Sequence, residues 1–354
     1  MNLPSPIPGL ERVERHPERG DNRAGLIALD RNERLAPLPD WFMEEMRADL
    51  SSQLLTGYPR LDELYADLSE SLGLPEDQLL MTPGSDAAFR SLYQAYVSPG
   101  DRVVFLDPSY AMYPVYADVF RAEAVRIPFQ PDLTLDGDQL VEAIRGGARL
   151  VLIPNPNQPT GTTLDDRLLA RVIEASAEAE ALVVVDEAYF PFSGTTMLPQ
   201  TEPHVVVTRT LSKATGLAGL RIGFAAAARD VISNMRKVRS VYDVNAFAAL
   251  AARKLIAHPE VAADYVAQVD AGRDLLSERG RAAGLEPLPS VTNFLLLGLG
   301  GRIEPSELGR RLVERGFLVK APLPAPLGHH IRVTLGPPDL MAQFADALDA
   351  ALAG

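Results

Sequence analysis

The stretch LVLIPNPNQPTGTTLDDRLLARVIEASAEAEALVVVDEAY, from Leu150 to Tyr189, decides the fold. Its ends are short apolar strands, Leu150 to Ile153 and Ala181 to Val185, and between them Leu164 to Ala179 carries apolar residues at helical spacing. A strand that is apolar at successive positions has no face to give to water, so both of its faces must be covered. The same alternation runs outward on both sides. Arg102 to Leu106 reads as strand, Tyr110 to Phe120 as helix, Ala122 to Pro128 as strand and Leu140 to Ile144 as helix. His204 to Thr208 and Leu220 to Phe224 add further strands. The pattern implies an α/β fold with a mainly parallel sheet covered on both sides. Such sheets bind ligands where their strands end at the carboxyl side, which points to the loops beginning at Pro154, Asp186 and Thr208.

Further out the pattern changes. Residues 1–40 are rich in Pro, Arg and Asp and read as an extended arm. Leu61, Leu64, Leu68 and Leu72 mark a helix that Gly73 stops. Ala246 to Ala283 is a long helical stretch, broken near Pro259, that bridges to a smaller α+β unit. That unit comprises Thr292 to Leu297, Ser306 to Arg315, Phe317 to Lys320, His330 to Leu335 and Pro338 to Leu352. The expected division is an arm over 1–45, contributing to the small domain and to a dimer, a large domain over 46–245, and the bridging helix with the small domain over 246–354.

The bulk numbers bound the function. The 354 residues suit one large domain plus a smaller one. No apolar run approaches the roughly 20 residues of a membrane span, and the first residues lack the features of a signal peptide, so a cytoplasmic protein without a membrane partner is expected. Cysteine is absent, which removes disulfides, thiolate metal sites and cysteine nucleophiles together. A net charge of −13 repels a nucleic-acid backbone, so no nucleic-acid partner is expected. Only four lysines occur, at 213, 237, 254 and 320, so chemistry that needs an amine has four candidates.

Lys213 stands out among them. It lies in Thr210-Leu-Ser-Lys-Ala-Thr-Gly-Leu-Ala-Gly-Leu-Arg221, a small-residue loop after an apolar strand. Thr210 and Ser212 supply hydroxyls and Arg221 a guanidinium, together an anion site. A lysine beside such a site is placed to condense with a phosphate-bearing aldehyde. The plainer reading is a solvated lysine in a glycine loop. A dinucleotide fingerprint fits poorly, since the glycines at 216, 219 and 223 are spaced GxxGxxxG rather than GxGxxG and lead into a strand rather than a helix. Asp186, opening Asp186-Glu-Ala-Tyr189 at a strand's end, can pair with a protonated pyridine nitrogen, although a turn cap or a metal site would use the same residues. Asn157, in Asn155-Pro-Asn-Gln-Pro-Thr-Gly161, can donate its amide to a ring oxygen or simply brace a turn. Ser85, in Gly84-Ser-Asp86, reads as the N-cap of a helix whose free N–H groups suit a phosphate. Tyr110 can stack on a flat ring or pack in the core.

Together these segments resemble the fold-type I pyridoxal-phosphate enzymes, most closely the histidinol-phosphate aminotransferase family. The resemblance runs in order from about residue 25 to the end, through Tyr58-Pro59, Gly84-Ser-Asp86, Asp107-Pro-Ser-Tyr110, Asn155 to Gly161, Asp186-Glu-Ala-Tyr189 and Thr210 to Arg221. It implies an aspartate aminotransferase-like sheet of seven strands, pyridoxal phosphate as cofactor, and a homodimer. It implies that Lys213 bonds the cofactor and moves the substrate's proton, and that Asp186 pairs with the ring nitrogen. Asn157 and Tyr189 would hold the ring oxygen, and Tyr110 would stack on the ring. Ser85, Asp86 through its backbone N–H, Thr210, Ser212 and Arg221 would hold the phosphate, joined by Tyr58 from the neighbouring subunit. Arg332, with Asn32, Asn157 and Lys320, would hold an anionic amino substrate, which exchanges its amino group with a 2-oxo acid. No metal is implied.

The chain departs from the family's pattern at three places. Asn32-Glu-Arg-Leu35 stands where the family usually has Asn-Glu-Asn-Pro, Ala87 where it often has Glu, and Lys320 where it often has Arg. All three are expected around the substrate pocket, with Arg34 adding a positive charge there. Histidinol phosphate is therefore one candidate among several substrates. A decarboxylase of phosphorylated or phosphonylated amino acids on the same scaffold is the alternative. A regulator built on this fold would need a basic DNA-binding extension, and residues 1–30 are too short and too mixed in charge to be one.

Overall fold

The structure, a computed structural model, describes residues 5–13, 23–199 and 202–353. The arm contributes a short strand, β1 (Ile27–Leu29), and then α1 (Asp40–Ala48) and α2 (Ser52–Thr56). The next helix, α3 (Asp62–Leu72), buries Leu64 and Leu68 and ends where Gly73 turns left-handed at φ 65. Only a residue without Cβ takes that angle at little cost, which is why the helix stops there.

The central sheet holds seven strands: β2 (Leu79–Thr82), β3 (Arg102–Asp107), β4 (Glu123–Pro128), β5 (Ala148–Pro154), β6 (Leu182–Asp186), β7 (Val205–Thr210) and β8 (Gly223–Ala226). Their order is β2-β8-β7-β6-β5-β3-β4. Every neighbouring pair is parallel except those of β8, which runs antiparallel to both β2 and β7. The strand expected over Leu220 to Phe224 starts only at Gly223, because Ala218–Leu220 forms a 3-10 turn first.

Two-sided burial follows from the period of two. Leu150, Leu152, Val184 and Val206 face a core shared with α4 (Ser85–Tyr96) and α5 (Met112–Phe120). Val151, Ile153, Val183, Val185, Val205 and Val207 face the opposite core, shared with α6 (Gly137–Arg145) and α7 (Asp166–Glu178). The helix α8 (Arg229–Val238), which the sequence reading passed over, packs Val231, Ile232 and Met235 into the first of these cores.

The long helical stretch divides at Pro259 into α9 (Ala246–Ala257) and α10 (Glu260–Ala282), as expected from a residue without a backbone N–H. Beyond it lie β9 (Glu286–Pro287), β10 (Phe294–Gly298), α11 (Pro305–Val313), β11 (Phe317–Val319), β12 (His330–Thr334) and α12 (Pro338–Ala353). β12, β10 and β9 form an antiparallel sheet, while β11 pairs in parallel with β1 from the arm. One apolar core joins Leu29 of the arm to Phe294, Val319, Ile331 and Phe344, and takes in Tyr189, Phe192 and Ala214 from the loops at the strand ends of the central sheet. The arm and the C-terminal segments are thus packed directly over those loops.

Candidate active site

A cleft of about 390 Å³ opens where β5, β6 and β7 end. The parallel sheet delivers three loops to one place, as the rule for such sheets requires. Pro154, Pro156 and Gln158 come from the loop after β5, Asp186, Ala188 and Tyr189 from that after β6, and Thr210, Ser212 and Lys213 from that after β7. Asp30, Arg31 and Asn32 of the arm close one side, and Lys320 and Arg332 of the C-terminal segments close another. Lys237 and Lys254 lie elsewhere, bonded to Asn234 and to the Glu45 and Asp49 carboxylates. Among the four lysines, only Lys213 and Lys320 face the cleft.

The Lys213 amine is pushed down from 10.5 to about 8, first by burial and then by the nearby Arg332 and Arg221 guanidinium groups, with Glu33 opposing. It donates to the backbone oxygen of Arg31 at 3.0 Å. An amine with a lowered pKa is a nucleophile near neutrality, because more of it is unprotonated.

At one end of the cleft an anion cradle is built from three elements. Gly84 precedes α4 with no side chain capping the helix, so the first-turn N–H groups of Ser85 and Asp86 are left for a ligand. Ser85 is therefore the first helical residue and not the cap that its sequence context suggests. Gly84, at φ 75, also lets Arg221 approach: a Cβ on it would lie 2.6 Å from the guanidinium. Arg221 donates to Ser212 Oγ at 3.3 Å, and Thr210 Oγ1 donates to the same oxygen at 2.8 Å. Two hydroxyls, a helix N-terminus and a guanidinium in one corner match a phosphate dianion in donor type and charge. The Asp86 carboxylate does not intrude on that corner, since it accepts hydrogen bonds from Tyr110 at 3.2 Å and Tyr116 at 2.9 Å.

In the middle of the cleft Asp186 is buried, and burial raises its pKa from 3.8 to about 6 against the pull of its hydrogen bonds. Thr208 Oγ1 donates to one carboxylate oxygen at 3.0 Å and Tyr113 Oη to the other at 3.1 Å. Neither donor was singled out from the sequence. Thr208 left a trace as the one polar residue ending a run of valines, whereas Tyr113 sits in an ordinary amphipathic helix and left none. On the opposite side Tyr189 Oη accepts from Asn32 Nδ2 at 2.8 Å. Asn32 is itself fixed by Asn293 Nδ2, which donates to its backbone oxygen at 2.9 Å.

Arg332 is buried beside this group. One of its nitrogens donates to the backbone oxygen of Asp30 at 2.7 Å, while Nε is buried without a partner among the described residues. Among the described residues it makes no ion pair with a carboxylate. Lys320 is its cross-strand partner, the two backbones exchanging hydrogen bonds of 3.0 Å. Directly opposed residues project to the same face, so the two cations share one wall.

Other expected site residues lie differently. Asn157 is fully buried and does not line the cleft. Its amide donates to Pro108 O at 3.1 Å and Thr160 Oγ1 at 2.8 Å, and its oxygen accepts from Ser109 at 2.9 Å. Its hydrogen-bonding capacity serves the loop and leaves no donor for a ring oxygen. Arg34 turns away from the cleft, donating to Ala214 O at 2.8 Å and Val261 O at 3.2 Å and lying 4.2 Å over the Tyr265 ring. Ala87 does not line the cleft either, which leaves Lys320 as the one of the three departures that does. Tyr58 is 77% exposed, stacked on Tyr242 at 4.3 Å, and is outside this chain's own cleft.

The aminotransferase class I and II family model matches residues 25–348. Histidinol-phosphate aminotransferase 1 of Carboxydothermus hydrogenoformans is 32% identical over 318 residues, covering 88% of this chain and 89% of that protein. An aromatic amino acid aminotransferase of Nocardia farcinica is 36% identical over 335 residues, covering 90% of each chain. The crystal structure of histidinol-phosphate aminotransferase from Sinorhizobium meliloti in complex with pyridoxal-5'-phosphate has the same fold. Its TM-score is 0.85 at 24% sequence identity, covering 99% of this chain and 98% of that one.

Proposed function

This chain belongs to the aminotransferase class I and II family, a pyridoxal-phosphate-dependent enzyme like the histidinol-phosphate aminotransferases, and on that premise we propose that its amino substrate carries a phosphate, phosphonate or carboxylate tail. The amino group is exchanged with a 2-oxo acid. The observation that carries the reading is Arg332, a buried cation with an unpartnered Nε beside Lys320 and Lys213. A buried donor without a partner is costly, and an anionic ligand group is the partner that removes the cost.

When bound, the cofactor supplies a conjugated ring that draws electrons from the substrate's α-carbon. The chain's own residues do the rest. Lys213 would hold the cofactor through its amine and would carry the proton at the substrate's α-carbon. Asp186, with its Thr208 and Tyr113 donors, would pair with the ring nitrogen and favour its protonated form. Tyr189, oriented by Asn32, would donate to the ring oxygen, and Tyr110 would cover one ring face. Ser85, Asp86, Thr210, Ser212 and Arg221 hold the phosphate. Asn157 acts at one remove, bracing the loop after β5. Arg332 and Lys320 take the substrate's anionic groups, and the arm over the cleft keeps water out. The division into arm, large domain and small domain at about residues 45 and 245 belongs to the same proposal, as do the homodimer and the cytoplasmic setting without membrane or nucleic-acid partners.

A substrate panel tests it. Holoenzyme is offered histidinol phosphate, aminophosphonates, dicarboxylic and aromatic amino acids with a 2-oxo acid, and products are assigned by mass. Arg332→Ala is expected to lower kcat/KM for the preferred anionic substrate by roughly two orders of magnitude, with the bound-cofactor spectrum unchanged. A loss of only a few-fold on every accepted anionic substrate would remove the anion-anchor role. Carbon dioxide release without consumption of the 2-oxo acid would assign the lyase reaction instead.

A further inference from the structure

The hydrogen-bond partners of Asp186 raise a question that its place in the cleft does not answer. A carboxylate opposite a ring nitrogen is useful only if the proton between them stays on the nitrogen. A carboxylate that is merely buried does the opposite, because burial favours its neutral form. Some group must counter that tendency. Glu187, next in sequence, cannot, since its negative charge raises the proton affinity of Asp186 further. Tyr110 and Tyr189 lie near Asp186 but direct their hydroxyls to Asp86 and to Asn32. The groups that donate to the carboxylate are Thr208 Oγ1, Tyr113 Oη and the backbone N–H of Ala188.

Tyr113 is the least expected of these. It lies in the first turn of α5, is fully buried, and does not line the cleft. Its ring is packed edge-on against Phe89 at 5.3 Å and against Tyr110 at 5.5 Å. The backbone N–H of Tyr113 donates to the Tyr110 carbonyl at 3.0 Å. One side chain therefore touches both the tyrosine proposed to cover the ring face and the carboxylate proposed to face the ring nitrogen. A phenol buried in an otherwise apolar core needs a partner for its hydroxyl, and here the partner is a carboxylate. Phenylalanine would fill the same volume, so packing alone leaves the hydroxyl unexplained.

We propose that Tyr113 is a positioning residue for amino transfer: with Thr208 it fixes both oxygens of Asp186 and keeps that carboxylate ionised for the cofactor's ring nitrogen. The inference rests on the role given to Asp186 above and deepens it. Tyr113 does not line the cleft and acts through its neighbour.

The test uses holoenzyme loaded with pyridoxal phosphate labelled with 15N in the ring. Wild type is expected to give a nitrogen resonance at the protonated position. Tyr113→Phe keeps the ring's packing and removes only the donor. The resonance is expected to move toward the unprotonated position, and kcat to fall by roughly tenfold or more with KM little changed, as for loss of a hydrogen bond to a charged group. Replacing Tyr113 by 4-aminophenylalanine keeps a donor of the same reach and is expected to restore both readings. Thr208→Val removes the other side-chain donor and is expected to move the resonance the same way, a reading that stands even where Tyr113→Phe fails to fold. An unprotonated nitrogen in wild type would overturn the role of Asp186 and this inference with it. A protonated wild type with an unmoved resonance in folded Tyr113→Phe, or in Thr208→Val, would leave Asp186 in place and overturn the inference alone.

Discussion

At the scale of single residues, Lys213 has a protonation state that can be measured. A lysine in water is protonated up to about 10.5, so roughly one amine in three thousand is free at pH 7. With a value of about 8 the fraction rises to roughly one in ten. Capture of pyridoxal phosphate by the apoenzyme is therefore expected to speed up with rising pH and to level off above about 8. Stopped-flow absorbance would follow it, and borohydride should fix the label on the peptide containing residue 213. A midpoint near 10.5, or a label on Lys237, Lys254 or Lys320, would contradict the assignment. Between about 8 and 10.5 the unfolded chain holds the proton that the folded chain has lost, so the contribution of this group to stability rises with pH across that window.

At the scale of elements, the arm matters more than its length suggests. β1 is three residues long and cannot hold itself in place by strand pairing alone. Burial of Leu29, worth about 2 kcal/mol, and the bonds of Asn32 and Asp30 to the C-terminal strands secure it. Arg34 adds a three-way fastening, tying the arm to the loop after Lys213 and to the start of α10. Gly216 packs so closely on it that a Cβ there would lie 2.5 Å from the arginine stem. Arg34→Met keeps the stem and removes the donors to the carbonyls of Ala36, Ala214 and Val261. A cost of about 2 kcal/mol is expected, seen as a fall of a few degrees in the holoenzyme's melting temperature together with a lower kcat. An unchanged melting temperature would mean that the arm is held without it.

At the scale of the whole molecule, an acidic chain carries a basic cleft. The net charge is −13, yet Arg31, Lys213, Arg221, Lys320 and Arg332 line the cleft against Asp30, Asp86 and Asp186. Such an excess concentrates anions locally, and the rest of the surface does not compete for them. Tyr58 belongs to this scale, because its proposed partner is the phosphate of a neighbouring subunit. Its exposure beside Tyr242 and Val241 leaves it available for such a contact. Co-expression of Tyr58→Ala and Lys213→Ala chains tests the idea. In a mixed dimer one site keeps both the lysine and the neighbour's tyrosine, so activity is expected to exceed the sum of the two variants alone. No recovery in a preparation shown by mass to contain mixed dimers would remove Tyr58 from the site.

The sequence by itself determined the parallel sheet, since Leu150 to Ile153 and Val183 to Val185 are apolar at successive positions and only two-sided cover satisfies them. It also determined which loops carry the chemistry, because Lys213, Asp186 and Arg221 follow strands whose ends must meet. Local spacing and strand direction are properties of short segments, and short segments are legible. Side-chain direction across elements was not. Arg34 and Asn157 were expected at the substrate and the ring, but nearby backbone carbonyls and hydroxyls take their donors first. Tyr113 and Thr208 gave no sign that they share one carboxylate, because they come from different elements, 95 residues apart in the chain, and meet only when α5 packs on the sheet. A hydrogen bond needs its partners within a few tenths of an ångström, and only the tertiary structure fixes atoms from different elements to that tolerance.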